Sequence, residues 1–244
     1  MKAAALPENE KARLKALADH NLLDTPAEDI YDDVTRMASE ICRTPVSSIS
    51  LIDANRQWFK SSQGLKVGET PREHSFCAHA ILQPDEIFVV PDARLDDRFS
   101  DNPLTTGIPN VIFYAGVPLT SDDGYALGSL CVIDSRPRTL TDNQLLALKS
   151  LARLVNTHFE LRKAKAERDK LQHELDQATV GRRNLLRFLA YRLKPLVEPM
   201  LNDIRALSGT NPQPNQVTHL QSLEQTGRAI QGMLDDPELF KNQS

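Results

Sequence analysis

The pattern of apolar and polar positions is clearest in the middle of the chain, where it predicts two strands followed by a helix. Residues 113–119 (FYAGVPL) combine β-favouring side chains with a proline near the end, and residues 127–133 (LGSLCVI) form an almost unbroken apolar run, typical of a strand buried on both faces. Gly124 supplies the positive φ that a tight turn between these strands requires. Thr141 and Gln144 have the spacing of a capping box, so the helix is predicted to begin there.

Two helices are predicted before this region. Residues 7–20 form a short helix, and apolar side chains recur on a single helical face over residues 30–41. For the second helix, the sequence predicts Thr25 as the N-cap, Pro26 as the first helical residue and Glu28 as the third.

The remaining segments of this half predict an antiparallel sheet. Residues 46–53 alternate between apolar and polar side chains and are expected to pair with residues 57–62 as a hairpin. Residues 87–90 form a further strand, residues 76–82 a short helix, and residues 94–109 a polar loop over one face of the sheet. The predicted fold class is therefore α+β, an antiparallel sheet flanked by helices.

Charged residues dominate residues 161–189, which contain no proline. Ala164, Leu171, Ala178 and Leu185 recur every seven residues, a spacing that predicts a two-stranded parallel coiled coil. The alternative is a solvated helix in which the repeat is incidental.

Two further helical stretches, residues 184–207 and 217–234, are predicted to form a hairpin around the breaker-rich residues 208–215. Pro195 and Pro199 are expected to kink or interrupt the first stretch, because each removes a backbone donor. The hairpin buries its apolar stripes most simply against a second copy, which predicts a dimeric four-helix bundle.

Composition narrows the class of protein. The net charge of −4 gives no reason to expect nucleic-acid binding, and no apolar run is long enough to span a membrane. The chain has three widely spaced cysteines, which indicates a reducing compartment rather than a disulfide framework. We therefore expect a cytoplasmic protein that binds neither nucleic acid nor membrane.

Several motifs occur in a fixed order along the first two thirds of the chain. FYAGVPL is followed by LGSLCVID and PRTLTDNQ, and SFCAHAI and VPDARLDDRFSDNPL stand upstream, at residues 75–81 and 90–104. Together they resemble the GAF domain at the N-terminus of bacterial sensor histidine kinases and diguanylate cyclases, over about residues 14–159. The resemblance implies a GAF fold and a sensory role, and it leaves the ligand and any cofactor unknown.

A second resemblance concerns residues 188–204 (FLAYRLKPLVEPMLNDI), which are similar to the dimerisation and histidine-phosphotransfer helix of sensor kinases. The phosphoacceptor histidine of that family falls on Ala190 or, with one deletion, on Tyr191. The resemblance therefore implies a degenerate dimerisation hairpin without its phosphoacceptor. Few residues follow and no glycine-rich loop is among them, so autophosphorylation is not expected. Phosphate on His173 or His219 is the alternative.

These patterns predict three domains. A GAF-like sensor domain occupies residues 1–158, a coiled-coil signalling helix residues 159–183, and the degenerate helical hairpin residues 184–244.

The GAF resemblance places a small-molecule pocket between the sheet and the helix and loop over its face. Aromatic side chains there are candidates for the wall of the pocket, and Asp92 and Arg98 are candidates to orient a polar ligand. The predicted ligand-binding residues are Trp58, Phe76, Cys77, Asp92, Arg98, Phe99 and Tyr114. The alternative is that Arg98 and Phe99 only hold the loop in place.

Two other interpretations of the cysteines and histidines stay open. His74, Cys77 and His79 include good zinc ligands, but a structural zinc site requires a fourth, and no metal site is predicted. Cys77 and Cys131, with Cys42 as a third thiol, form a candidate redox pair of the kind that GAF-fold methionine sulfoxide reductases use. Burial of Cys131 argues against this, because it raises the pKa of the thiol.

The sequence favours the hypothesis that this is a signalling protein without catalytic residues. Ligand binding to the GAF-type sensor would change the coiled coil and, through it, the surface of a homodimeric bundle. That bundle would dock the receiver domain of a response regulator or a partner histidine kinase. The alternatives are a cysteine-dependent redox enzyme and a purely structural dimer without a ligand.

Overall fold

The computed structural model describes residues 1–235 of the chain. These residues belong to two compact units, Met1–Glu167 and a second that begins at Arg168. The end of the predicted C-terminal hairpin, residues 236–244, lies outside the described residues. Within residues 1–235, no helix combines the length and the apolar character needed to cross a membrane.

The centre of the first unit is an antiparallel sheet of six strands. The strands are β1 (Val46–Ile52), β2 (Arg56–Gln63), β3 (Glu69–Pro71), β4 (Phe88–Val90), β5 (Phe113–Thr120) and β6 (Ala126–Asp134). Their order across the sheet is β3-β2-β1-β6-β5-β4, and every neighbouring pair is antiparallel. The predicted fold class is confirmed.

Helices and short turns complete the described fold. The helices are α1 (Glu10–Asp19), α2 (Asp29–Cys42), α3 (Phe76–Ala80), α4 (Pro103–Thr106), α5 (Asp142–Ser208) and α6 (Pro214–Leu234), with 3-10 turns at Arg72–His74 and Ala93–Leu95.

The region from β5 to the start of α5 forms as its local sequence predicts. Gly124 adopts a φ of +81° in the turn between β5 and β6. The hydroxyl of Thr141 accepts a hydrogen bond from the backbone N–H of Gln144 at 3.3 Å, and the side-chain oxygen of Gln144 accepts from the backbone N–H of Thr141 at 2.9 Å. The capping box is confirmed, and it begins α5 directly after the sheet.

The predicted start of α2 is wrong. The helix begins at Asp29, and its N-cap is Glu28, which has extended backbone angles of −136° and 126°. Thr25 is not the cap, because its hydroxyl donates to the carbonyl of Leu22 at 2.6 Å and accepts from the ammonium group of Lys60 at 2.7 Å. Tertiary hydrogen bonds to a buried lysine therefore override the local capping pattern.

The two faces of the sheet belong to different cores, because successive side chains of a strand point to opposite sides. We call the side covered by α1, α2 and α5 the helix face, and the side covered by α3 and the loops around residues 91–112 the cavity face. The helix face holds the larger apolar cluster, which includes Leu17, Tyr31, Val34, Ala38, Ile49, Leu51, Phe113, Leu119, Leu130, Val132, Leu148, Val155 and Phe159. The cavity face holds a smaller one, which includes Ile52, Phe76, Cys77, Ile81, Val90, Phe99, Val111, Tyr114 and Cys131.

In the second unit, α5 continues through Pro195 and Pro199 as one helix, so the sequence prediction of an interruption is wrong, and its alternative of a kink stays a prediction. Each proline removes one backbone donor, but apolar contacts with α6 span the same segment and oppose a break. The buried members of this small cluster are Ala190, Val197, Leu201 and Leu234.

Candidate functional site

A cavity of about 540 Å³ lies on the cavity face, between the sheet, α3 and the segments at residues 64–67 and 104–111. Most of its lining is apolar, and its mouth lies at Val67 and Ile108, which are 52% and 98% exposed. The strands contribute Ser48, Gln57, Phe59, Tyr114, Cys131 and Ile133 to the wall. A volume of this size suits a small organic molecule.

Gly116 determines how Tyr114 lies in the wall. The two residues are neighbours on the same face of β5, and a Cβ atom at position 116 would lie 2.2 Å from the hydroxyl oxygen of Tyr114. Only glycine leaves room for the tyrosine ring in this position. The fully buried hydroxyl is thereby held beside Cys77.

Thiol and hydroxyl groups form a buried network in the wall of the cavity. The hydroxyl of Tyr114 donates to the Sγ of Cys77 at 3.2 Å and lies 3.1 Å from the Oγ of Ser129. The Oγ of Ser48 lies 3.1 Å from the Sγ of Cys131, and the two sulfur atoms are 3.8 Å apart. The fold thus brings together two cysteines that are distant in sequence.

The network affects the two thiols in opposite directions. Burial by itself raises the pKa of Cys77, but the hydrogen bonds that its sulfur shares with Cys131, Ser129 and Tyr114 outweigh burial, and the net shift is downward. The hydrogen bond to Cys77, together with burial, raises the pKa of Cys131 well above its ordinary value. Of the two thiols, Cys77 therefore loses its proton more readily than Cys131.

Three of the predicted ligand-binding residues, Phe76, Cys77 and Tyr114, line the cavity. Trp58 does not, because it lies on β2 between Gln57 and Phe59, and those two neighbours face the cavity. Its ring packs against the apolar cluster of the helix face instead. Contact with a ligand stays a prediction for the three residues in the wall.

Asp92 and Arg98 lie in the loop that covers the sheet and do not line the cavity. Asp92 caps a 3-10 turn, accepting from the backbone N–H of Arg94 at 3.1 Å and from its guanidinium group at 2.7 Å. The guanidinium group of Arg98 donates to Asp96 at 2.6 Å. Both predicted side chains are thus engaged within the loop.

Phe99 is buried directly behind the cavity wall. Its ring stacks on that of Phe76, with the centroids 3.9 Å apart, so it supports the wall without lining it. The predicted loop over the sheet, residues 94–109, overlaps the covering segment at residues 104–111, but Gln57 and the covering segment at residues 64–67 were not predicted. The alternation along β2 could have identified Gln57, because it places Gln57 opposite Trp58, whereas residues 64–67 have no periodic pattern.

The histidines near Cys77 do not converge on a metal site. The Nε2 atom of His79 lies 3.1 Å from the carbonyl oxygen of Lys2, and His74 lies 3.6 Å from the carboxylate of Glu73. Among residues 1–235, no three histidine, cysteine or acidic side chains are placed to hold a metal ion.

In the second unit, the two positions aligned with a phosphoacceptor histidine differ in exposure. Ala190 is buried in the small apolar cluster, whereas Tyr191 is exposed. Their correspondence to the phosphoacceptor position stays a prediction.

The helix face carries a polar group that joins the sheet to the first part of α5. We call it the helix clamp, and its members are Glu28, Tyr31, Lys60, His158 and Arg162. The ammonium group of Lys60, which is fully buried, lies 2.7 Å from the carboxylate of Glu28, and Arg162 pairs with the same carboxylate. The Nδ1 atom of His158 lies 2.8 Å from the hydroxyl of Tyr31. The clamp therefore couples β2, α2 and α5.

Among known proteins, a Pseudomonas aeruginosa protein named as a cyclic di-GMP phosphodiesterase is 44% identical to this chain over 150 residues, which is 61% of this chain and 25% of that protein. The chain thus spans about a quarter of the length of the curated relative that it matches. This finding corrects the prediction that the protein is not an enzyme, because the relative that shares the region is named as one.

Solved structures that align with this chain share little sequence with it. The GAF domain of an Acinetobacter phosphoenolpyruvate-protein phosphotransferase aligns with a TM-score of 0.47 and 19% identity, covering 64% of this chain and 96% of that one. The chromophore-binding domain of a bacteriophytochrome from R. palustris aligns with a TM-score of 0.45 and 12% identity, covering 65% and 64%.

The profile of the GAF domain family matches residues 26–159, which is more than half of the chain. The matched region contains the whole sheet, the cavity and the start of α5. This chain belongs to the GAF domain family, and it carries a GAF sensor domain of the kind used in signalling.

Proposed function

We propose that the GAF domain of this chain senses a small organic molecule and regulates a signalling protein connected with cyclic di-GMP. The observation that carries the proposal is the cavity of about 540 Å³, which has a mostly apolar lining and a few convergent polar groups. The name of the Pseudomonas aeruginosa relative supports the connection with cyclic di-GMP turnover. The shared region then serves as the part that receives the signal.

The proposed route from the cavity to α5 runs through β2. Phe59 lines the cavity, and the next residue, Lys60, lies on the helix face and pairs with Glu28. A ligand that displaces Phe59 therefore also displaces the clamp, and Arg162 carries the change into α5. Such a ligand shifts the equilibrium only as far as it binds one of the two arrangements more tightly.

For the second unit, we propose a degenerate kinase-type dimerisation hairpin that pairs with a second copy of this chain. The heptad residues Leu171 and Leu185 support this, since they are 64% and 58% exposed in the single chain. Pairing of two copies would cover them, as apolar seam positions of a coiled coil are covered. The proposed partner of the resulting bundle is a receiver domain of a response regulator or a partner histidine kinase.

Native mass spectrometry of the full chain, with the denatured mass as reference, tests the ligand and the dimer together. We expect a dimer that releases a small non-covalent mass on denaturation. In parallel, the fluorescent probe 8-anilinonaphthalene-1-sulfonate should bind the wild-type cavity. A monomer contradicts the proposed dimer.

Two substitutions make the ligand test specific to the cavity. Val111→Trp should abolish both the released mass and the probe fluorescence, because Val111 is buried in the wall and the larger ring fills the space. The matched control Val89→Trp adds the same ring at an exposed position on β4, outside the wall, and should leave both signals unchanged. Equal signals from all three proteins would contradict ligand binding in the cavity.

A further inference from the structure

Two thiol groups lie side by side in the cavity wall, and the proposed reversible binding of a ligand does not require their reactivity. Cys77 is on α3 and Cys131 on β6, and their sulfur atoms are 3.8 Å apart. The hydroxyl of Tyr114 donates to the sulfur of Cys77, and the hydroxyl of Ser48 lies 3.1 Å from the sulfur of Cys131. Apolar packing alone does not require hydroxyl groups at both sulfurs.

The third cysteine shows what a purely structural thiol looks like in this protein. Cys42 is buried in the apolar cluster of the helix face and does not line the cavity. Burial raises its pKa to about 11, so it stays a protonated thiol. Cys42 is therefore a matched internal control for the cavity pair.

The geometry divides two chemical roles between the cavity thiols. The thiolate is the nucleophilic form of cysteine, and the network stabilises it on Cys77, where Tyr114 donates to the sulfur. Cys131 keeps its proton and stands within reach to attack Cys77 in a second step. Both thiols are shielded from bulk solvent, but a molecule inside the cavity meets them directly.

We propose that Cys77 and Cys131 form a redox site that reacts with organic hydroperoxides carrying an apolar tail. The thiolate of Cys77 attacks the terminal peroxide oxygen, so a sulfur–oxygen bond forms and the oxygen–oxygen bond breaks. The alkoxide leaves as an alcohol, taking the proton that Cys77 had released. The thiol of Cys131 then attacks the sulfenic acid, which forms the disulfide and releases water. The two thiols lose two electrons, and the hydroperoxide gains them.

The lining of the cavity selects the class of oxidant. Apolar side chains such as Phe59, Leu104 and Val111 favour a hydrocarbon tail, because its transfer from water is favourable. Hydrogen peroxide lacks such a tail and gains nothing from this lining. The inference rests on the proposed function only in that the cavity admits a small molecule, and it specifies the chemistry of that molecule.

The test treats the reduced full chain with cumene hydroperoxide or hydrogen peroxide at equal concentration and follows the intact mass and the cross-linked peptides. We expect loss of two hydrogen atoms per chain and a peptide pair joined through Cys77 and Cys131. Cumene hydroperoxide should react about tenfold faster than hydrogen peroxide, because binding of its tail contributes to the rate.

Variants assign the steps to residues. Cys42→Ser should react like wild type, and Cys131→Ser should stop at a sulfenic acid on Cys77, which dimedone traps. Tyr114→Phe should slow the reaction about tenfold, because it removes a hydrogen bond to the thiolate.

Three outcomes would overturn the redox site: no disulfide with either peroxide, a disulfide that involves Cys42, or equal rates with both peroxides. The results also separate this inference from the proposed function. If native mass spectra show a released ligand but the protein does not react with peroxide, only the inference of a redox site is contradicted. If the protein reacts with peroxide but releases no ligand, the redox site is supported and the proposal of reversible ligand binding is contradicted.

Discussion

The two faces of the sheet differ in how their polar groups are used, although the same strands build both. On the helix face, the buried ammonium group of Lys60 is matched by the carboxylate of Glu28, and a continuous apolar cluster fills the interior of that face. On the cavity face, hydroxyl and thiol groups point towards an open space. The comparison shows how one layer of strands provides both a packed side that maintains the fold and an unfilled side that is available for binding.

The largest expected effect tests whether the helix face carries the stability. Leu130 is fully buried in the cluster of the helix face, and Leu130→Ala should reduce the free energy of unfolding by about 3 kcal/mol, because it leaves a cavity in a packed core. Ile133→Ala, on the cavity wall of the same strand, should cost about 1 kcal/mol, since part of its surface already faces open space. Urea unfolding followed by the fluorescence of Trp58, the single tryptophan, measures both.

Similar losses from the two variants would show that the faces do not differ in packing. The measurement is specific to this unit, because Trp58 packs against the helix face. A change in the slope of free energy against urea would indicate an altered unfolded or native state rather than a lost contact.

The next effect concerns the helix clamp. Lys60→Met keeps much of the side-chain volume but removes the buried charge, and it should reduce the free energy of unfolding by about 2 kcal/mol. The cost is lower than for a fully buried pair, because Glu28 is 30% exposed and keeps its contact with Arg162. Lys66→Met, at the exposed mouth of the cavity, should change the free energy of unfolding by less than about 0.5 kcal/mol.

Hydrogen–deuterium exchange sharpens this comparison. Lys60→Met should increase exchange over the part of α5 around His158 and Arg162, whereas Lys66→Met should not. Unchanged exchange in Lys60→Met would contradict the coupling of β2 to α5.

A smaller effect tests how the cavity face is shaped. Gly116→Ala should cost about 1–2 kcal/mol, because the new methyl group meets the side chain of Tyr114 and forces it to move. Gly68→Ala, where nothing lies within 4 Å of the new atom, should change the free energy by less than about 0.5 kcal/mol. Urea unfolding measures both values, and a neutral Gly116→Ala would show that the position of Tyr114 is not tightly set.

Sequence reasoning succeeded where the determining interactions are local. The turn at Gly124 and the capping box at Thr141 depend on residues within one turn of each other, and both were predicted. The alternation along the strands was enough to predict the class of the sheet. It also carried the information that Gln57 and Trp58 face opposite sides, although the prediction placed Trp58 in the pocket.

Sequence reasoning failed where distant segments meet. The start of α2 was misplaced because the hydroxyl of Thr25 accepts a hydrogen bond from Lys60, a residue that is distant in sequence. The approach of Cys77 to Cys131 depends on how α3 docks on the sheet, and no periodicity encodes it. The covering segment at residues 64–67 is likewise positioned by tertiary packing, which no local pattern predicts.

The smallest expected effect concerns the loop over the cavity face, which is held by a pair at the surface rather than by a buried one. The hydrogen bond from Arg98 lowers the pKa of Asp96, so the folded state binds fewer protons than the unfolded state in acid. The pair therefore stabilises the fold above about pH 4, and this contribution is lost as the pH falls below that value. Asp96→Asn should cost less than about 1 kcal/mol at neutral pH, because solvent screens the pair.

The pH dependence distinguishes this pair from a general effect of charge. The difference in unfolding free energy between wild type and Asp96→Asn should be constant from pH 7 to about pH 5 and should shrink as the pH falls below about 4. Urea unfolding at several pH values measures it. Asp97→Asn, which removes the same charge from the exposed neighbouring position, is the matched control and should change the unfolding free energy by less than about 0.5 kcal/mol at neutral pH. A gap that persists in acid, or one that is equal in both variants, would mean that the Asp96–Arg98 pair does not hold the loop, and the stacked rings of Phe76 and Phe99 would then be the next contact to test.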